Sequence, residues 1–183
     1  MGAVQQYDLQ TAKEDGEVNM ENEDKVAKTT QKILNRLISE EVIAASIYEG
    51  AVNNVKPEQR KFIEKKFLEI AADEMQDHWK SLTKFATENG FSVPFKFGDI
   101  ERHASKKMVS KLNGMKPGED AAYYIQKGLE SEVEAIRSFE EALDQEYVYE
   151  LQPILLKCYY DEIQHLEDLQ LLARCASLGV ELK

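Results

Sequence analysis

The chain has no apolar run of the ~18 residues that a membrane-spanning helix needs, and no membrane partner is expected. Its N-terminus lacks the basic-then-apolar order of a secretion signal, so the cytoplasm is the expected compartment. Cysteine is scarce. Cys158 and Cys175 are the only two, 17 residues apart on what reads as one helix. That spacing excludes a disulfide between them and matches no metal-binding cysteine pair. Both are expected as small core residues. Positive charge is also short, with 23 Lys and Arg against 34 Asp and Glu and a net charge of −11. Nucleic-acid binding draws its affinity from basic groups that neutralise phosphates, so no nucleic-acid partner is expected. An acidic chain does attract cations.

What is present suits one globular domain: 183 residues, 43% hydrophobic and 31% charged. Residues 1–24 carry seven acidic groups, one lysine and little to bury, which predicts a mobile acidic tail. Residues 25–183 then read as one all-α domain of four helices. Apolar residues at helical spacing mark the first from about Asp24 to Val52, the second from about Pro57 to Glu88, the third from about Pro117 to Asp144 and the fourth from about Tyr147 or Gln152 to Ala176. Pro57 is expected in the first turn of its helix, and Pro153 either starts the fourth helix or kinks it. The first and last links are short, whereas Gly90 to Gly118 is long. In that connection Phe91, Val93, Phe95 and Phe97 alternate, Asp99 can cap a short helix ending near Gly114, and Arg102, Lys106, Lys107 and Lys111 give it a basic, solvated face. His103 falls outside the apolar pattern there. Short, long, short predicts an antiparallel four-helix bundle with one long crossover between helices 2 and 3.

The apolar stripes contain acids. Glu41 shares the heptad phase of Leu34 and Tyr48, Glu132 that of Ile125 and Phe139, and Glu74 lies mid-stripe in the second helix. In the fourth helix Glu162 and His165 are three residues apart, an advance of about 300°, so both point at nearly one spot. His78 lies about 40° to one side of Glu74 and Asp77 about 60° to the other, so either can face inward. The halves also repeat. Glu41-x-x-Ala44-x-x-x-Tyr48 matches Glu132-x-x-Ala135-x-x-x-Phe139, and Asp73-Glu74-Met75-Gln76 matches Asp161-Glu162-Ile163-Gln164. A bundle brings four such faces to one axis. Four carboxylates in a dry core cannot all stay ionised unaided, and two divalent cations would balance them. Carboxylate and imidazole donors suit iron or manganese.

These motifs resemble the ferritin-like di-iron carboxylate bundles, most of all the bacterioferritin and rubrerythrin branch, over about Lys28 to Gly179. The resemblance implies two iron ions, with manganese possible. Glu41 and Glu132 would be terminal ligands, Glu74 and Glu162 bridging ligands, and His165 the ligand on one iron. Asp73 and Asp161 would hold the imidazoles, and Tyr48 would stand beside the site. The family places a histidine three residues after the second-helix glutamate. Here that position is Asp77, followed by His78, so either a widened turn brings His78 to the metal or Asp77 replaces it; otherwise that half binds poorly. Met75 matches a haem-ligand methionine of bacterioferritins, but Glu-Met pairs are common in such helices and haem is not expected. The implied activity is oxidation of ferrous iron by dioxygen or peroxide, for storage or detoxification, in a homo-oligomer. A rubrerythrin-like peroxidase with an external electron donor is the alternative, as is a metal-binding bundle that turns nothing over.

Overall fold

The computed structural model describes residues 7–94 and 116–179, with side chains from residue 22 onward. Every regular element among them is helical. The first rod is α1 (Tyr7–Asn54). The second is built of α2 (Arg60–Asp73), a π-helical turn (Glu74–Trp79) and α3 (Lys80–Glu88). The third is α4 (Ala121–Leu143), and the fourth α5 (Gln152–Leu178). The basic short helix expected between Asp99 and Gly114, with Arg102, His103, Lys106, Lys107 and Lys111, lies outside the described residues, as do Phe95 and Phe97.

Several boundaries differ from the sequence expectation. The α1 helix begins at Tyr7 rather than near Asp24, so most of the expected acidic tail is helical. Residues such as Gln, Ala, Glu, Lys and Met in this stretch favour a helix without needing an apolar stripe. Pro57 lies in the turn before α2, not in its first helical turn. The third rod starts at Ala121 rather than at Pro117-Gly118, because the Asp120 side chain accepts from the Tyr123 N–H at 3.0 Å and caps the helix there. Pro153 sits in the first turn of α5, after a single 3₁₀ turn at Tyr149–Leu151, and starts the helix instead of kinking it.

The direction of each rod follows from who shares a core. One apolar layer joins Ala51, Val52 and Val55 of the α1 end, Ile63 and Phe67 of the α2 start, Tyr124 and Ile125 of the α4 start, and Leu169 and Leu172 of the α5 end. The other joins Leu34 and Leu37 farther back in α1, Leu82 and Phe85 of α3, Phe139 and Ala142 of the α4 end, and Leu155 and Cys158 of the α5 start. The second and third rods therefore run the same way, against the first and fourth. The chain from Asn89 to Asp120 must return the full length of the bundle, which is why that connection is long. Its start is held by Phe91, stacked on Phe85 at 6.2 Å. The Thr30 hydroxyl, fully buried, donates to the Val26 carbonyl at 2.8 Å and accepts from the Val148 N–H at 2.9 Å, tying α1 to the last link. Between the two apolar layers lies a polar one.

Candidate metal centre

The seven side chains of that layer come from all four rods. Glu41 and Tyr48 come from α1, Glu74 and His78 from the π turn, Glu132 from α4, and Glu162 and His165 from α5. All are buried, none more than 5% exposed. An uncompensated ionised group in such a place costs several kcal/mol, whereas each fully buried leucine around it returns only about 1.5–3 kcal/mol. The layer can persist only if its charges answer one another or answer a cation.

The π turn decides between the two residues left open by the sequence. A wider turn rotates less per residue, which swings Asp77 outward and leaves His78 beside Glu74. The Asp77 side chain is 59% exposed and faces Lys157 Nζ at 3.5 Å. His78 is fully buried and central. The structure thus does not bring Asp77 to the cluster, and it does bring His78.

His78 Nδ1 has three carboxylate oxygens at 3.2 Å, one each from Glu41, Glu74 and Glu162. His165 Nδ1 faces Glu74 at 3.6 Å, Glu162 at 3.6 Å and Glu132 at 3.7 Å. One nitrogen carries at most one proton, so neither can serve three acceptors. The outer nitrogens are oriented instead by acids across the bundle: His78 Nε2 lies 3.2 Å from Asp161, and His165 Nε2 lies 3.5 Å from Asp73. That leaves each Nδ1 pointing inward as a donor to whatever fills the centre. Two groups of four result, Glu41–Glu74–His78–Glu162 and Glu74–Glu132–Glu162–His165, in each of which the ligand atoms lie within 4.8 Å of one another. Glu74 and Glu162 belong to both. Glu74 Oε1, Glu132 Oε2, both Glu162 oxygens and His165 Nδ1 are buried without a hydrogen-bond partner. The orphaned oxygens and nitrogen of these two overlapping groups are suited to hold a metal ion, and Met75 packs against the first apolar layer.

The proton distribution without a cation follows the same geometry. Burial pushes the Glu41 carboxyl well up, helped by the Glu74 charge, and burial likewise pushes Glu132 up. Burial also pushes Glu74 upward, but its polar contacts with Glu41, His165 and His78 outweigh it and hold the group below the carboxylate range. Burial and the Glu74 charge act the same way on Glu162, and its contacts with both histidines and Glu132 bring it down. His78 and His165 are pushed down by burial yet driven up by the surrounding carboxylates, His165 to about 12. Glu74 and Glu162, the shared pair, are the ionised ones.

Tyr48 closes one end. Its hydroxyl donates to Glu132 Oε1 and lies 3.4 Å from the Gly128 carbonyl. Gly128 makes the approach possible, since a Cβ there would stand 3.2 Å from the Tyr48 ring and 3.0 Å from Leu169. The Tyr48 ring meets Phe67 edge-on at 5.2 Å.

One feature of the site carried little signal in the sequence. A cavity of about 80 Å³ lies between α1 and α4, and Glu41, Glu74 and Glu162 are part of its wall. Only the small size of Ala44 and Ala135 hinted at open space there. Among the described residues, no helix is long and apolar enough to cross a membrane. No protein-family model, curated protein or solved structure matches the chain.

Proposed function

We propose that this chain is a ferritin-like di-metal carboxylate protein that binds two ferrous ions in its polar layer and lets dioxygen or peroxide oxidise them. The observation that carries the reading is the pair of overlapping ligand groups sharing Glu74 and Glu162. Shared carboxylates hold two cations at roughly 3.5–4 Å, the spacing at which both can react with one small molecule. Oxygen-rich donors with one imidazole each favour iron or manganese over a thiolate metal, and they stabilise the ferric product. The parallel second and third rods, with their long connection, support the ferritin-like assignment.

The electron count is simple. Each ferrous ion gives up one electron. Peroxide takes two electrons and two protons and leaves as two waters; dioxygen takes two of each and leaves as peroxide. The chain's own part is to supply four carboxylates, keep both imidazoles turned inward through Asp73 and Asp161, and exclude bulk water. Storage of a mineral would in addition require a closed homo-oligomer.

Aerobic titration of the metal-free protein with ferrous iron tests this. Ferric absorbance is expected to grow and to break near about two ions per chain. Uptake far beyond that point would extend the proposal to a mineral store. Binding without oxidation would reduce the protein to a passive metal holder, and no tight binding would sink the di-metal reading.

A further inference from the structure

The cavity between α1 and α4 carries one step further, resting on the function just proposed. Its wall contains three of the four cluster carboxylates, Glu41, Glu74 and Glu162, and of these Glu74 Oε1 and both Glu162 oxygens are orphaned. It also contains Ala44 and Ala135, both half-buried, and the exposed Glu134. The hollow thus runs from the buried centre toward solvent. On other sides the centre is packed. Tyr48 and Gly128 fill the Glu132 end, and Asp161 and Asp73 back the histidines; Phe139, 6.5 Å from the His78 ring, is part of the hollow's own wall.

Its size is decisive. A volume of about 80 Å³ holds about six waters at roughly 10–15 Å³ each. Pockets for organic ligands measure about 300–1,000 Å³. Ala44 and Ala135 each stand one helical turn beyond a cluster glutamate, Glu41 and Glu132, at matching places in the two halves of the chain. A longer side chain at either would project into the hollow.

We propose that this cavity is a size filter that passes molecules of two or three heavy atoms to the Glu41 side of the centre and excludes hydroperoxides and anions bearing an aromatic group, with Ala44 and Ala135 setting its bore. Dioxygen and hydrogen peroxide pass; a hydroperoxide bearing an aromatic ring does not.

The test uses the full chain loaded with Co(II), whose visible spectrum reports its ligands, with azide as the small probe and benzoate as the large one. Azide is expected to perturb the spectrum saturably and benzoate to leave it unchanged. Ala135→Leu and Ala44→Leu should weaken azide binding at least tenfold at unchanged Co(II) stoichiometry, and Ala135→Gly, which only removes a methyl, should leave azide binding intact or tighter. In the ferrous protein, hydrogen peroxide should react at least tenfold faster than cumene hydroperoxide. Benzoate binding as readily as azide, equal rates for the two hydroperoxides, or leucine variants that fold and bind azide normally would each overturn the filter while leaving the metal site standing. If the leucine variants do not fold, the glycine variant and the two-probe comparison still decide. Failure of Co(II) to bind at all would overturn the function proposed above, and the filter with it.

Discussion

Glu162→Ala is expected to abolish tight binding of both cations, taking the chain from about two per molecule to none. Glu162 is shared by both ligand groups, and its two oxygens each lie near a different histidine, 3.2 Å from His78 and 3.6 Å from His165. Glu74→Ala should behave alike for the same reason. Glu132→Ala and Glu41→Ala each remove a ligand from one group only, so about one cation per chain should survive. His78→Ala falls in this second class, whereas Asp77→Ala should bind as the natural chain does, because Asp77 faces Lys157 at the surface. Asp161→Ala should weaken one position by about 10–100-fold, the usual effect of losing the acid behind a metal-bound histidine. Equilibrium dialysis of the series with Co(II) or Mn(II) reads all of these. If Glu162→Ala and Glu132→Ala lost the same number of cations, the shared-ligand arrangement would be wrong.

The division of labour among these residues was partly written in the sequence. Glu41, Glu74, Glu132, Glu162 and His165 could be picked out because heptad phase is a rigid property of a regular helix, and each of them sits in phase with fully buried apolar neighbours. Phase loses its meaning where the helix stops being regular. Asp77 and His78 straddle the stripe, and only the π turn, which depends on packing across the bundle, separates them. The extent of α1 was hidden for the opposite reason: residues before Asp24 carry no apolar stripe, so phase had nothing to act on. Asp73 and Asp161 entered through family resemblance rather than pattern. The cavity could be read only as a hint, from the small Ala44 and Ala135, since a void belongs to the distance between α1 and α4 and to no residue in either.

The second large effect is an exchange of protons for metal. Without a cation, Glu41, Glu132, His78 and His165 are the groups pushed toward their protonated forms and Glu74 and Glu162 those pushed toward ionisation, an arrangement in which two positive and two negative charges cancel. Two divalent cations beside four carboxylates and two neutral imidazoles cancel as well. Binding should therefore release about four protons per pair of cations. Titration calorimetry in two buffers of different ionisation enthalpy counts them. The sign for pH follows. His165, held up to about 12, stabilises the metal-free fold fully below the ordinary histidine value of about 6.5 and loses that contribution as pH rises toward its folded value. Metal affinity rises over the same range. The gap in melting temperature between loaded and metal-free protein should widen steadily from about pH 6.5 upward. A release of only about two protons would mean that the outer glutamates are already ionised without metal.

The π turn also settles how the two halves of the chain relate as texts. Ahead of the site, the buried positions Ile63, Phe67, Ile70 and Glu74 match Leu151, Leu155, Cys158 and Glu162 in spacing, residue for residue. Beyond it, His78, Leu82 and Phe85 match His165, Leu169 and Leu172 only after one position is skipped. The surplus letter is Asp77: strike it out, and Asp73-Glu-Met-Gln-His stands opposite Asp161-Glu-Ile-Gln-His165. A one-residue deletion inside a long helix normally turns everything downstream by about 100° and ruins its packing. Here it should convert the π turn into ordinary α-helix and leave His78, Leu82 and Phe85 facing inward. The shortened chain is expected to fold and to keep its capacity for both cations, as circular dichroism and Co(II) binding would reveal. A chain that collapsed on losing Asp77 would show that the two halves cannot share one spacing, and that the extra residue is a requirement of the second rod, not a spelling difference between two equivalent helices.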